Sequence, residues 1–361
     1  DTVLAPLRDF IFANSRFRNV PSLYPPGAQF VYALSYLLAP GNLYFLKGVF
    51  LLFDMVSCVV LAILLARKGL DPARMLLYAW CPLPIVEFAL QGHVDVITIT
   101  FSLLTVLSAS NHSYRGRALT GFLVGMATLT KLYPIILLAT LVDLRNWRRD
   151  WLLVLTCLLT IVLSYVPFSI LGHGQIFGFF SAYASEQGFN AGVIQQIIQF
   201  IGQNSHFSAA AILIQEHVVD FLLLLSAALF VFLLRQSGRI SRETGTLVLF
   251  WLVLAVSSHV FPWYTTTLLP WIALLLPARA TVSSLVLPQL GARLLALGAI
   301  WIFACVSIVS YWQDWTSYYH TVYTPMLIEL VLAALLSCYV YLPRYRQKGT
   351  IHEQKQSHTS S

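Results

Sequence analysis

The sequence predicts an all-α, polytopic integral membrane protein, and three observations support this fold class. Of its 361 residues, 58% are hydrophobic and only 10% are charged, whereas soluble domains carry about 25% charged residues. The apolar residues form runs long enough to cross a bilayer as helices. The Lys and Arg residues concentrate in alternate loops, as expected for loops on the cytoplasmic side. The net charge of +7 therefore reflects membrane topology, and we do not expect nucleic-acid binding.

Residues 1–42 are predicted to form an outer loop and a helix on the membrane surface, because the turn signal LYPPGAQ precedes an apolar run too short to span. Eleven membrane segments follow, at 43–66, 75–90, 94–109, 118–130, 132–143, 151–171, 220–234, 246–258, 265–277, 294–311 and 326–341. We expect 172–217 to be a long outer loop, since no Lys or Arg occurs between Asp150 and Arg235. The polar, basic residues 343–361 are predicted to be a disordered cytoplasmic tail, which leaves 1–342 as a single transmembrane domain.

The five cysteines lie in apolar runs and form no CxxC pair. This pattern predicts packing roles and neither disulfides nor a zinc site. No metal or cofactor is expected. The chain starts at Asp1 in a polar stretch without a signal peptide, so we expect an N-terminal segment with the first transmembrane helix to be missing before it.

Lys131 interrupts an apolar run that is otherwise long enough to span. A lysine at mid-membrane costs about 2.5–3.5 kcal/mol, so it is rare and usually functional. The loops on both sides of this run are basic, and one crossing cannot have both ends in the cytoplasm. The run therefore predicts two short paired helices, 118–130 and 132–143, with Lys131 at the outer turn between them. His93 and Asp95 are predicted to lie on that same outer face.

These three polar residues are the strongest candidates for a site. His93 and Asp95, in the sequence GHVD, can orient a sugar or a phosphate; alternatively, Asp95 only complements the dipole at a helix N-terminus. Lys131 can bind the phosphate of a lipid-linked substrate, for which a point charge is suited; alternatively, its ammonium only snorkels to the interface.

Two further motifs contain weaker candidates. Tyr24 and Gln29, in YPPGAQ, can contact substrate, although two prolines and a glycine are also explained by a turn that sets the angle of the next helix. His259, Trp263 and Tyr264 can form a platform that stacks on sugar rings, although Trp and Tyr are also common at membrane interfaces.

The succession of five motifs resembles the GT-C superfamily of polytopic glycosyltransferases, which use polyprenyl-phosphate sugars. The motifs are YPPGAQ (24–29), RMLLYAWCPLPIVEF (74–88), GHVD (92–95), LTGFLVGMATLTKLYPIILLATL (119–141) and FPWYTTTLLPWI (261–272). The likeness is greatest to the bacterial polyprenyl-phosphomannose-dependent mannosyltransferases, of the kind grouped as glycosyltransferase family 87, and covers most of residues 20–275.

The resemblance implies an outward-facing active site, a polyprenyl-phosphate sugar donor, a glycan or glycolipid acceptor, and inversion at the anomeric carbon without a metal. It implies that Lys131 meets the donor phosphate, and Tyr133 of the same TKLYP motif is expected to contact substrate. Arg8, a positive charge in the outer loop, can bind the same anionic headgroup; alternatively, it only belongs to a solvated loop face.

The family's general base is an Asp or Glu in the first outer loop, just after the first helix. Asp1 and Asp9 are what remains of that loop, and LAPLRD (4–9) resembles its later part. We therefore expect either that the base lies in the missing N-terminal segment or that the chain is inactive, with Asp9 as the candidate that the chain retains. Asp95 and His259 are the other catalytic candidates. Relatives often carry a histidine directly before PWY; Phe261 holds that place here, and His259 lies two residues earlier.

We therefore predict a hexosyltransferase, with mannose as the expected sugar, in a bacterial plasma membrane or in the endoplasmic reticulum of a eukaryote, with its C-terminus in the cytoplasm. Two alternatives remain: a flippase or transporter of lipid-linked sugars, and an inactive, truncated relative. A flippase predicts charged residues deep within several spans, where this sequence has Asp54 and Lys131.

Overall fold

The computed structural model describes residues 8–14, 22–172, 192–204, 209–258, 260–277 and 287–308. Within these ranges the chain is largely helical and has no strand. Three of the described helices are long and apolar enough to cross a bilayer, at Leu43–Arg67, Leu144–Leu171 and Val218–Gln236, and one bent pair of segments adds a fourth. The predicted all-α, polytopic membrane fold class is confirmed.

The helices follow one another along the chain in two groups. The first contains α1 (Phe10–Asn14), α2 (Pro26–Leu38), α3 (Leu43–Arg67), α4 (Leu76–Ala79), α5 (Pro82–Pro84), α6 (Asp95–Ser108), α7 (Tyr114–Thr128), α8 (Leu138–Leu141) and α9 (Trp147–Leu171). The second contains α10 (Val193–Asn204), α11 (Ala209–Gln236), α12 (Arg242–Val256), α13 (Pro262–Thr265), α14 (Leu269–Leu275) and α15 (Leu287–Val306). Short 3-10 helices occupy Pro72–Met75, Tyr133–Leu137, Leu144–Asn146 and Thr266–Leu268, and a π-helix occupies Ile85–Gln91.

The segment predicted as one straight span at 75–90 is broken. The halves Pro72–Ala79 and Pro82–Gln91 are bent by 55° relative to each other. Pro82 and Pro84 lack the amide hydrogens that a continuous helix would need, and their rings clash with the preceding turn. The apolar pattern predicted the crossing, whereas the two prolines determine its bend.

The predicted hairpin around Lys131 is present. Helix α7 ends at Thr128, and the chain returns through the 3-10 helix and α8. Arg117, near the start of α7, donates from Nη2 to the carbonyl oxygen of Leu141 at 3.0 Å, so the returning chain ends beside the start of α7. The returning half is mostly a 3-10 helix rather than an α-helix. Helix α7 begins four residues before the predicted start because the Ser113 hydroxyl caps it, accepting from Gly116 N at 3.1 Å.

The polar stretch 172–217, predicted as an outer loop, contains α10 and the start of α11. Residues 173–191 and 205–208 of this stretch lie outside the described residues. The predicted span at 326–341 and the predicted tail at 343–361 also lie outside them.

The basic loops meet on one side of the helical bundle, which we call the basic face. It is formed by the loops at 67–74, 109–116, 143–149, 235–242 and 276–277. Four contacts join them: Arg149 Nη1 to His112 O at 3.2 Å, Arg145 Nη2 to Gln236 O at 3.1 Å, Lys68 Nζ to Glu243 Oε1 at 2.9 Å, and Arg74 Nη1 to Leu276 O at 2.6 Å. Helix α3 starts on the opposite side, where Lys47 donates to Leu90 O at 2.6 Å, and ends on the basic face.

Arg117 differs from the other basic residues because it is buried. Only 1% of the Arg117 side chain is exposed, and the side chain of Asp150 on α9 is fully buried. Arg117 Nε donates to Asp150 Oδ1 at 2.6 Å, and Nη2 donates to Oδ2. Asp150 Oδ2 also accepts from Asp143 N at 2.7 Å. In the sequence Arg117 belongs to a basic loop, but the structure places it within α7, where Asp150 neutralises its charge inside the bundle.

Two glycines let α7 and α9 approach closely. Gly121 and Gly125 lie on one face of α7 in a GxxxG spacing, which favours close helix packing in membranes. A Cβ added at Gly121 would lie 2.0 Å from the carbonyl oxygen of Leu153. The Thr156 hydroxyl crosses the contact and donates to Ala118 O at 3.0 Å.

Gly121→Ala is therefore expected to lower the free energy of unfolding by about 1–3 kcal/mol, because the added methyl group forces the two helices apart. Thermal unfolding in detergent would measure this change. Gly48→Ala is the matched control, since among the described residues no atom beyond its chain neighbours and its own helix backbone lies within 4 Å of the added Cβ, and alanine is the better helix former. Equal melting temperatures for the two variants would contradict close packing at Gly121.

Candidate functional site

The turn that carries Lys131 is fixed by backbone hydrogen bonds. The amides of Thr130 and Lys131 both donate to Ala127 O, at 3.1 and 3.2 Å. Two residues further along the chain, Leu129 O accepts from Gly27 N at 2.9 Å and from Ala28 N at 3.2 Å. The N-terminus of α2 therefore docks onto the end of α7.

The motif YPPGAQ explains this docking. Pro25 and Pro26 start α2 without amide hydrogens that would be left unsatisfied. A Cβ added at Gly27 would lie 2.8 Å from Leu129 O, so a larger residue would prevent the contact. Gln29 Nε2 donates to Tyr24 O at 2.6 Å, which holds Tyr24 at the entrance to the helix. The turn interpretation of the motif and the placement of Tyr24 at the site are thus compatible.

Four side chains meet at this turn, and we call them the Lys131 cluster: Lys131, Asp95, Tyr24 and Tyr264. Lys131 Nζ lies 3.4 Å from Asp95 Oδ1. The same ammonium lies 5.2 Å from the centre of the Tyr24 ring and 4.6 Å from that of Tyr264, within the range of cation–π attraction. The Lys131 side chain is 13% exposed and that of Asp95 1%. The Lys131 ammonium is therefore a fixed positive charge that remains partly exposed.

Asp95 reaches the cluster because of the residue at the end of the π-helix. Gly92 has a φ of 81°, a left-handed conformation that glycine adopts at little cost. The chain turns there, and Asp95 enters as the first residue of α6. Asp95 thus lies at a helix N-terminus and also pairs with Lys131, and its role in orienting a sugar or a phosphate stays a prediction.

A stack of aromatic rings adjoins the cluster. The imidazole of His93 lies parallel to the Trp263 indole, with 3.8 Å between centroids, and the ring of Phe261 lies parallel to the indole at 4.5 Å. Tyr264 meets Trp263 edge-on at 5.8 Å and so connects this aromatic stack to the Lys131 cluster. Planar rings that remain partly exposed beside a cation can hold the apolar face of a sugar.

Glu87 holds His93 from the protein side. Glu87 Oε2 lies 3.4 Å from His93 Nε2, and the Glu87 side chain is fully buried. Burial, and next the ammonium of Lys131, lower the pKa of His93 to about 3. His93 is therefore a neutral imidazole near pH 7. It can hydrogen-bond a hydroxyl group without adding charge.

The other predicted site residues are placed differently. Tyr133 packs edge-on against Phe250 of α12, with 5.1 Å between ring centroids. Asp9 lies beside Gly41, at the C-terminal end of α2, whereas the Lys131 turn contacts its N-terminal end. Helix α2 has 13 residues and is therefore about 20 Å long.

The structure thus does not bring Asp9 to the Lys131 cluster. Its neighbour Arg8 lies over the ring of Phe12, 5.1 Å from its centroid. His259 lies outside the described residues. Among the residues that the structure does describe, no group of three His, Cys, Asp or Glu side chains is arranged to hold a metal ion.

Sequence reasoning missed two members of the site. Glu87 is not among the candidates named from the sequence, but the structure places its carboxylate against His93. Phe261 was noted only as the residue in the place of a histidine, but its ring continues the aromatic stack. A carboxylate within an apolar run was the signal that could have identified Glu87.

An apolar cavity of about 250 Å³ leads away from the Lys131 turn. Gly27 and Thr130 line it near the turn, and the side chains along α2, α3 and α6 continue it, among them Leu34, Phe53 and Phe101. It lies between helices, its lining includes Thr130, the residue before Lys131, and it can accommodate part of a hydrocarbon chain.

The family comparison covers the part of the chain that forms most of this site. The family model described as glycosyltransferase family 87 matches residues 23–258, which include the Lys131 cluster apart from Tyr264. No curated protein and no solved structure matches the chain significantly. The match covers well over half of the chain, and the helices able to cross a bilayer fit a membrane enzyme. The chain belongs to glycosyltransferase family 87 and is a membrane glycosyltransferase.

Proposed function

We propose that the protein transfers a hexose, with mannose as the first sugar to test, from a polyprenyl-phosphate donor to a glycan or glycolipid acceptor. The single observation that carries this proposal is the ammonium of Lys131, which is held at a turn by a buried carboxylate and two tyrosine rings. A fixed ammonium on the turn whose preceding residue, Thr130, lines an apolar cavity suits a ligand with a phosphate on a hydrocarbon chain.

The side of the membrane follows from the distribution of charge. The basic face carries the loops that the positive-inside rule assigns to the cytoplasm, and the Lys131 cluster lies at the opposite ends of the helices. We therefore place the reaction on the outer side of the membrane. The donor's polyprenyl chain would enter the cavity beside α2, with its phosphate at Lys131.

The reaction is a substitution at the anomeric carbon with inversion. An oxygen of the acceptor forms the new bond to that carbon, and the bond from the carbon to the phosphate oxygen breaks. The hydroxyl proton passes to a carboxylate base, as the family resemblance implies, and polyprenyl phosphate leaves. Lys131 stabilises the negative charge that grows on the leaving phosphate, and the transition state has the oxocarbenium character of glycoside chemistry.

Asp95 is better suited to positioning than to taking a proton. It is almost fully buried and lies against Lys131, so we assign it the task of holding the ammonium in place. The aromatic stack would hold the hexose ring, and neutral His93 would accept or donate a hydrogen bond at a sugar hydroxyl. Gln29 acts through Tyr24, whose backbone it holds.

The test is transfer by the purified, full chain in proteoliposomes. Labelled polyprenyl-phosphate mannose and an alkyl mannoside acceptor are supplied on the site face, and the products are separated by chromatography. We expect a labelled disaccharide and polyprenyl phosphate in equal amounts. Movement of intact donor across the bilayer without a new glycosidic bond would identify a flippase instead. If no polyprenyl-phosphate hexose gives either a new glycosidic bond or movement of intact donor, the proposed donor is refuted.

A further inference from the structure

A second, larger cavity opens on the basic face, far from the Lys131 cluster. Its volume is about 750 Å³, and it lies between α12, α14 and α15. The residues that characterise it are Arg239, Arg293, Leu247, Val248, Trp251 and Ile300. The sugar-transfer reaction proposed above uses none of them.

The mouth of this cavity carries two positive charges. Arg239 and Arg293 both line it, and both are exposed. In the part of the chain that the structure describes, neither guanidinium forms a salt bridge, whereas Lys68, Lys131 and Arg117 each have a carboxylate partner. The two arginines therefore offer uncompensated charge at the level of the basic loops.

The interior of the cavity is apolar and has the depth of one leaflet. Leu247, Val248 and Trp251 line it on α12, and Leu297 and Ile300 on α15. Ser241, at the mouth, and Trp251 are ten positions apart, which corresponds to roughly 15 Å of helix. The hydrocarbon core of a bilayer is about 30 Å thick, so the cavity extends to about the middle of the membrane.

We propose that this cavity binds one anionic phospholipid from the leaflet on the basic side. Its phosphate headgroup lies between Arg239 and Arg293, and its acyl chains lie against the apolar wall down to Trp251. Positive charge near the surface attracts anionic lipids, and arginine forms bidentate contacts with phosphate. The site is separate from the donor site, because it lies at the opposite face of the bundle.

Native mass spectrometry of the full chain tests the proposal. The protein is released from nanodiscs made of equal parts phosphatidylglycerol and phosphatidylcholine, and bound lipid is identified by mass. We expect a phosphatidylglycerol adduct on the wild type and about tenfold less of it on Arg239→Gln/Arg293→Gln. Arg148→Gln, which also removes an exposed arginine on the basic face, is the matched control and should keep the adduct. Equal adducts on all three proteins would overturn the proposal.

A crosslinking experiment identifies the occupant directly. A benzophenone amino acid replaces Val248, which is exposed within the cavity wall, and another replaces Leu229, an exposed apolar residue of α11. On irradiation, position 248 should crosslink phosphatidylglycerol in preference to phosphatidylcholine, and position 229 should show no preference. A crosslink from position 248 to a peptide of the same chain, or to polyprenyl phosphate, would overturn the assignment of the occupant.

Discussion

Sugar transfer by Lys131→Met is expected to be at least about 100-fold slower than by the wild type, because the departing phosphate loses its fixed positive charge. Methionine has a similar length and no charge. The substitution should lower kcat as well as change KM, because the negative charge on the phosphate increases as the bond from the phosphate to the sugar breaks. Initial rates with labelled polyprenyl-phosphate sugar would measure it.

The matched control separates chemistry from folding. Removing the lysine alone leaves the carboxylate of Asp95 buried beside an uncharged group, which is destabilising. The double variant Lys131→Met/Asp95→Asn removes both charges and should recover the melting temperature without recovering transfer. Lys131→Arg keeps a charge and should keep part of the activity. Transfer at the wild-type rate by the double variant would exclude Lys131 from phosphate binding.

Arg117→Met is expected to reduce the free energy of unfolding by about 3–5 kcal/mol, because Asp150 is then left in the bundle without its partner. Asp150 is fully buried and makes two hydrogen bonds with the guanidinium. The loss should appear in thermal unfolding and in the fraction of protein that remains monodisperse in detergent. No residue of the Lys131 cluster is touched by this change.

Arg148→Met is the matched control for this prediction, since it removes a neighbouring arginine that is exposed, and it should change stability by less than about 0.5 kcal/mol. The pair variant Arg117→Met/Asp150→Leu should regain most of the loss, because replacing both members of a buried ion pair by apolar residues is often neutral. A fully stable Arg117→Met would show that the pair contributes nothing to the fold.

The hairpin around Lys131 was predictable from charge alone. Basic loops on both sides of one apolar run, with a lysine in its middle, require the chain to return to the side from which it came. The same reasoning placed Lys131 on the face of GHVD, and the structure brings its ammonium to Asp95. Helix ends could be predicted only within a few residues, because caps such as Ser113 depend on single side chains.

The partners of buried charges were not predictable in the same way. Arg117 and Asp150 are 33 positions apart, and in the sequence both belong to basic, polar loops. The rule that counts positive charges in loops treats such an arginine as solvated, although the fold buries it. The contact between His93 and Trp263 likewise joins distant parts of the chain, where α6 packs against the 3-10 helix after α13 and α5 packs against α13.

The bent crossing formed by Pro72–Ala79 and Pro82–Gln91 has a consequence for biogenesis. Its Arg74 finds its carbonyl partners at Leu276 and Pro277, about 200 residues later in the chain. When the first half of the protein has left the ribosome, the Arg74 guanidinium therefore lies at the basic face without these two carbonyl partners. The crossing therefore reaches its final form after translation has passed Pro277, and messages truncated before that codon should yield protein that quality-control proteases remove.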